Sequence, residues 1–141
     1  MPRYKKSNIK ELREFLYHSY DHDAKFKSVI YDYSEGNLKI ALFNPFFDVE
    51  IDLIFFDVEM TLAVKGDWSK DRETVISITA EEDFSYLQNY LIKRSEWMED
   101  SLYMMFQMLS GDELHVVSKE VMIEKYYHEL HLKRPMPPDG D

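Results

Sequence analysis

The stretch Phe47-Asp48-Val49-Glu50-Ile51-Asp52-Leu53-Ile54-Phe55-Phe56-Asp57-Val58-Glu59-Met60-Thr61-Leu62-Ala63-Val64 decides the fold. Apolar residues recur at every second position on both sides of Phe56-Asp57, the period of a strand with one buried face. Val49, Ile51, Leu53 and Phe55 share a face in the first half, with Asp48, Glu50 and Asp52 opposite. Val58, Met60, Leu62 and Val64 alternate with Glu59, Thr61, Ala63 and Lys65 in the second. At about 3.4 Å per residue the run is too long for an ordinary strand, so a turn or sharp bend is expected near Phe56-Asp57.

Working outward, Lys25 to Tyr33 reads as a strand, with Val29, Tyr31 and Tyr33 on one face and Phe26, Ser28 and Ile30 on the other. Glu35-Gly36-Asn37 is turn chemistry, Leu38, Ile40 and Leu42 continue as a second strand, and Asn44-Pro45 breaks it. Nearer the N-terminus, Ile9, Leu12, Phe15, Leu16, Ser19 and Tyr20 fall on one side of a helix, with Asn8 as N-cap and Glu11 completing a capping box. Downstream, Gly66 to Ser69 is a loop and Thr74 to Thr79 a strand. Thr79 with Glu82 forms a second capping box, opening a helix whose buried stripe is Phe84, Leu87 and Leu91. Leu102 to Leu109 fits either a helix or a strand; a strand is preferred because Ser110-Gly111-Asp112 leads directly into the alternation at Leu114 and Val116. Val121 to Tyr126 is the last strand.

The expected fold is α+β, a mainly antiparallel β meander of about seven or eight strands, as a sheet or half-barrel, with an N-terminal helix and one helix near 80–94. Residues 1–7 read as a basic arm, 8–130 as a single α+β domain and 131–141 as a Pro-rich tail. Leu38, Ile40, Val49, Ile51, Leu53, Phe55, Leu62, Ile76, Ile78, Phe84, Leu87 and Leu91 are expected in the core.

Composition narrows the function. The 141 residues are 45% hydrophobic and 15% aromatic, enough to build one core. Seventeen Lys and Arg against 27 Asp and Glu leave a net charge of −10, which disfavours nucleic acid and anionic membrane as partners. The absence of Cys excludes disulfides, thiol nucleophiles and Cys-ligated zinc. The longest apolar run, Leu102 to Phe106, is far short of a bilayer span, and no secretory h-region is visible, so a cytoplasmic domain is expected.

His18 and His22 have the i, i+4 spacing of a zinc pair, with Glu14 on that face, but solvent-facing histidines at a helix end are the plainer reading. His115 lies near Asp112 and Glu113, half of a general-base arrangement, yet the chain carries no nucleophile elbow, Gly-rich loop or Cys partner. Neither a catalytic constellation, a metal site nor a cofactor is expected. Asp48, Glu50 and Asp52 form the best-defined feature, a row spaced by about 7 Å along one strand face. That spacing is too wide for one calcium or magnesium ion to take all three. Glu59 extends the row, and Trp68, in a polar loop, suits a binding hot spot.

Four elements taken together carry a resemblance: His22-Asp23-Ala24 opening a strand that ends in Tyr31-Asp32, the Leu38 to Leu42 strand, the Asp48 to Phe56 strand followed by Asp57-Val58, and Gly111-Asp112-Glu113-Leu114-His115-Val116-Val117. Across about residues 20 to 126 this pattern resembles small bacterial β-rich proteins of the toxin-immunity-associated type. The resemblance implies an intracellular domain without catalysis that binds and blocks a partner protein.

Two readings compete. One is a non-enzymatic protein-binding module, of the immunity-inhibitor type, that presents Asp48, Glu50, Asp52, Glu59 and Trp68 to a basic partner. The other is a small-ligand binder or enzyme with a pocket between sheet and helix, with Tyr, His115 and carboxylates at its mouth. A homo-oligomer built on sheet edges is a third.

Overall fold

In the computed structural model, residues 3–17, 22–66, 73–88, 100–129 and 132–135 are described. The strands are β1 (Arg3–Tyr4), β2 (Lys25–Asp32), β3 (Asn37–Asn44), β4 (Val49–Val64), β5 (Val75–Glu81), β6 (Leu102–Met108), β7 (Glu113–Glu129) and β8 (Leu132–Pro135). Two helices accompany them, α1 (Ile9–Tyr17) and α2 (Ser85–Gln88). The fold is α+β and dominated by one eight-stranded antiparallel sheet in the order β2-β3-β4-β7-β6-β5, with β1 and β8 also on β7.

This order is not a single meander. Two three-stranded meanders, β2-β3-β4 and β5-β6-β7, are joined through their last strands. The longest strands, β4 and β7, pair from Val49–Tyr127 to Val64–Glu113 and form the spine of the molecule. The sheet is not closed. Among the described residues its two outer strands approach each other where Lys25 bridges Thr74, with backbone hydrogen bonds from Asp23 to Val75, Val75 to Ala24 and Phe26 to Glu73 at 2.8–2.9 Å.

The bend expected near Phe56-Asp57 is present without interrupting the strand. Asp57 adopts φ 52°, in the left-handed region that Asp tolerates better than most residues, and the register against β7 slips between Val58 and Met60. Glu59 is thus the extra residue of a β-bulge. Similar slips leave Lys27 extra in β2 and Ile76 extra in β5. Bulges flip the alternation of everything beyond them. Phe26 therefore turns inward with Tyr31, against the expected division of β2, and Ile76 is only half-buried while Val75 and Ile78 are buried.

The main core lies on one face. Val49, Ile51, Leu53 and Phe55 of β4 meet Leu38, Ile40 and Leu42 of β3, Leu102, Met104 and Phe106 of β6, and Leu12, Phe15 and Leu16 of α1. Each fully buried side chain of this size contributes about 1.5–3 kcal/mol. The helix is fastened by Arg13, whose Nε donates to the Ala80 carbonyl at 2.8 Å and whose Nη1 donates to Glu82 at 2.7 Å. A smaller core covers the other face, where Phe84 and Leu87 pack on Tyr103, Met105 and Val117, with Met60 and Leu62 half-buried beside them. Burial on both faces explains why Leu102 to Met108 fits two periodicities in sequence.

Both helix starts differ from expectation. Asn8 does not cap the helix for Glu11; it ends a 3-10 turn, Lys6–Asn8, and its Oδ1 accepts the Lys5 N–H at 2.6 Å. The Thr79–Glu82 box does not form, because β5 runs on to Glu81 to pair with Tyr103. The Asp83 carboxylate instead accepts the Ser85 N–H at 3.0 Å. The remainder of the expected 80–94 helix, with Leu91, lies outside the described residues. At the chain ends, Arg3 and Tyr4 of the expected arm pair with Met122 and Val121, and Leu132 to Pro135 of the expected tail pair with β7. Among the described residues no helix is long and apolar enough to cross a membrane.

Candidate binding surface

The acidic row is not an exposed face. Asp48 lies in the turn before β4, exposed, with φ 54°. Glu50 and Asp52 are only 2% and 5% exposed. Their strand sits mid-sheet, so side chains of flanking strands crowd them: Phe43 and Tyr126 stand across from Glu50, Ala41 and Glu124 across from Asp52. Lysines complete the cover. Lys27, the bulged residue of β2, reaches past β3 to place Nζ 2.8 Å from Glu50, and Lys39 Nζ lies 3.8 Å from Asp52. Their aliphatic stems shield the carboxylates while the half-exposed ammoniums stay near water. Glu59, the bulge residue, accepts a hydrogen bond from Ser101 Oγ and lies 3.4 Å from Lys119 Nζ. Sequence alternation identifies the face but not the lysines, which arrive from other strands. Trp68 lies outside the described residues.

The histidines separate. His22 is exposed and its Nδ1 lies 3.0 Å from the Asp23 carboxylate. His18 lies outside the described residues, and among those described no group of three His, Asp or Glu could hold a metal ion. His115 is fully buried in the smaller core, on the strand face opposite Leu114 and Val116. Its Nδ1 is 2.6 Å from the Tyr103 hydroxyl and its Nε2 is 2.9 Å from Glu113 Oε1. A neutral imidazole satisfies both contacts: Nε2–H donates to the carboxylate and Nδ1 accepts from the phenol. Tyr103 in turn stacks on Phe84, with ring centroids 5.7 Å apart and planes 10° from parallel. The Tyr103 partner is twelve residues away across a hairpin and has no sequence signature.

The sheet opens elsewhere. β3 stops pairing with β4 at Leu38–Phe55, whereas β4 continues along β7 to Val64. The β2–β3 turn marks the parting, its Gly36 carbonyl accepting the Val58 N–H at 2.9 Å. Asp32 fixes that turn by accepting from the Ser34 hydroxyl at 2.8 Å and from the N–H groups of Ser34 and Glu35. The Ser34 hydroxyl bond, with the Glu35 N–H second in weight, holds the Asp32 carboxyl below the usual carboxylate range.

Two adjoining clefts, of about 450 and 480 Å³, occupy the opening and share Val29 and Leu114 as lining. The first is lined by Tyr31, Tyr33, Val58 and Thr61, the second by Phe26, Ala63, Val64 and Met108. The Tyr31 and Tyr33 rings meet edge to face at 4.8 Å. Val29, Ile30 and Tyr33 are exposed, Tyr33 by 90%. His115 lines neither cleft.

Neither protein-family models nor curated proteins match this chain.

Proposed function

We propose that the protein is a non-enzymatic protein-binding module whose contact surface is the open side of the sheet rather than the acidic row of β4. One observation carries this reading: Val29 of the outer strand β2 and Tyr33, in the turn just beyond it, are large apolar or aromatic side chains that stand exposed while lining two adjoining, mainly apolar clefts. Apolar surface gathered beside an exposed aromatic residue is the make-up of an interface centre. The charge of −10 supports a basic partner, since opposite net charge accelerates encounter. Inhibition of a basic toxin is the biological role this reading favours. Support for a role without catalysis comes from His115, whose two ring nitrogens are held by Tyr103 and Glu113 inside the smaller core.

The test uses the full chain immobilised and exposed to an extract of its native host. Tyr33→Asp and Val29→Asp should lower recovery of a specific partner at least tenfold while leaving the melting temperature within a few degrees. Equal recovery by wild type and both variants would place the contact surface elsewhere.

A further inference from the structure

The opening of the sheet exposes a second feature. Among the described residues, β4 is hydrogen-bonded to a neighbour on one side only from Glu59 to Val64, because β3 has already turned away. In an antiparallel ladder alternate residues direct their N–H and C=O groups to the same side. Alternate residues of this segment therefore aim both groups out of the open edge beside the clefts, where no strand of the described residues meets them. Edges of this kind are templates for another strand, and natural proteins blunt them with Pro or charged residues. Here the charges stand only at the ends, Glu59 and Lys65, and the stretch between them carries Thr61 and Ala63, exposed and uncharged, with no Pro.

Resting on the proposal that the open side binds a protein, we infer that the occupant is an extended, basic segment of that partner, added to β4 as an extra strand along Glu59–Val64. Three features select it. The edge is recessed: the β2–β3 turn stands at its start, and Val29 and Tyr31 of the same hairpin wall the clefts that flank it. A single extended segment fits such a trough better than the flat edge of a second copy of this chain. The lining is apolar on both sides, Val29 from the hairpin and Leu114 and Met108 from β7 and β6, so alternate side chains of a strand would meet apolar surface. The charged lining residues are Glu59, Asp112 and Glu113 against Lys65, and with Lys119 Nζ 3.4 Å from Glu59 the balance is three carboxylates to two ammoniums. Lys or Arg on the other side chains of the guest complements that excess. Backbone pairing would supply affinity and the clefts selectivity, as in strand-addition recognition.

The probe is a display library of random ten-residue peptides selected against the full chain. Selected sequences should alternate apolar residues with Lys or Arg. Synthetic versions methylated at alternate backbone nitrogens should bind at least tenfold more weakly, because a strand must donate those N–H groups. Bound peptide should slow amide exchange across Glu59–Val64 of the wild-type protein, and Thr61→Arg with Ala63→Arg should weaken binding at least tenfold. Failure to select any sequence, indifference to N-methylation, or protection confined to β2 would each overturn strand addition to β4. Those outcomes are distinct from failure of the wider reading, which the Tyr33 and Val29 variants judge by partner recovery alone.

Discussion

Lys27 and Glu50 meet at 2.8 Å although they belong to strands that are not neighbours. The ammonium spans β3 to reach a carboxylate that is almost wholly buried, and the bulge at Lys27 makes that reach available. Leaving a buried charge without its counter-ion costs about 3–5 kcal/mol, and in Glu50→Lys that charge is the new ammonium at the buried position, since Lys27 is half-exposed. Glu50→Lys sets two ammoniums against each other and should cost at least that much. A fall in the urea midpoint with unchanged slope would show it. A surface-like effect under about 0.5 kcal/mol would mean that Glu50 is solvated after all.

A second prediction concerns Gly66. Just past β4, a Cβ placed on this residue would lie 2.2 Å from the Gly111 carbonyl carbon and 2.5 Å from the Asp112 nitrogen. Both are backbone atoms and neither yields as a flexible side chain would. The close approach lets the Gly66 N–H donate to Asp112 Oδ1 at 2.6 Å, tying the end of β4 to the β6–β7 turn. Gly66→Ala should therefore destabilise by about 1–3 kcal/mol or more. Gly36→Ala makes a useful contrast: the space around Gly36 is open, but its φ of 71° is strained for an L residue, so a smaller loss of about 1 kcal/mol is expected.

Much of the fold is legible in the sequence where alternation is uninterrupted. Val49, Ile51, Leu53 and Phe55 are buried as the period demands, and so are Leu38 and Ile40 on β3. Legibility ends at the bulges. Lys27, Glu59 and Ile76 each reverse the facing of the next residues in their strands, and none carries a Gly or Pro to announce it. The order of the strands is equally silent, because local turns describe each meander but not the β4–β7 joint between them. The exposure of the acidic row fails for the same reason. Whether Glu50 meets water depends on its neighbours across the sheet, and only the non-local topology brings Phe43, Tyr126 and Lys27 there.

The Tyr103–His115 contact leads to a third prediction. Tyr103→Phe keeps the stack on Phe84 and removes only the hydroxyl that faces Nδ1 at 2.6 Å. Depriving a buried polar atom of such a hydrogen bond costs about 1–3 kcal/mol. A double-mutant cycle with His115→Phe should return a coupling of at least about 0.5 kcal/mol, as expected for residues in contact. Strict additivity would mean that the two side chains contribute independently.

The last prediction rests on Tyr4. Pairing of β1 with β7 leaves this residue 7% exposed, with its ring 5.9 Å from that of Phe15. Burial raises the phenol above its ordinary value of 10.0, and the negative charge of Glu11 adds to the rise. The folded chain thus holds the proton more tightly than the unfolded chain does. Below pH 10 both states are protonated and the contribution to stability is complete. As pH climbs beyond 10, the unfolded chain gives up its proton first, so stability is lost until the folded phenol ionises in turn. Lysine titration in the same range is common to wild type and Tyr4→Phe, so the difference between the two isolates Tyr4. Urea titrations at pH 8, 9, 10 and 11 should give a constant difference up to pH 9, after which the wild type weakens relative to Tyr4→Phe. A difference that stays flat to pH 11, or moves the other way, would show that Tyr4 is not held neutral by the fold.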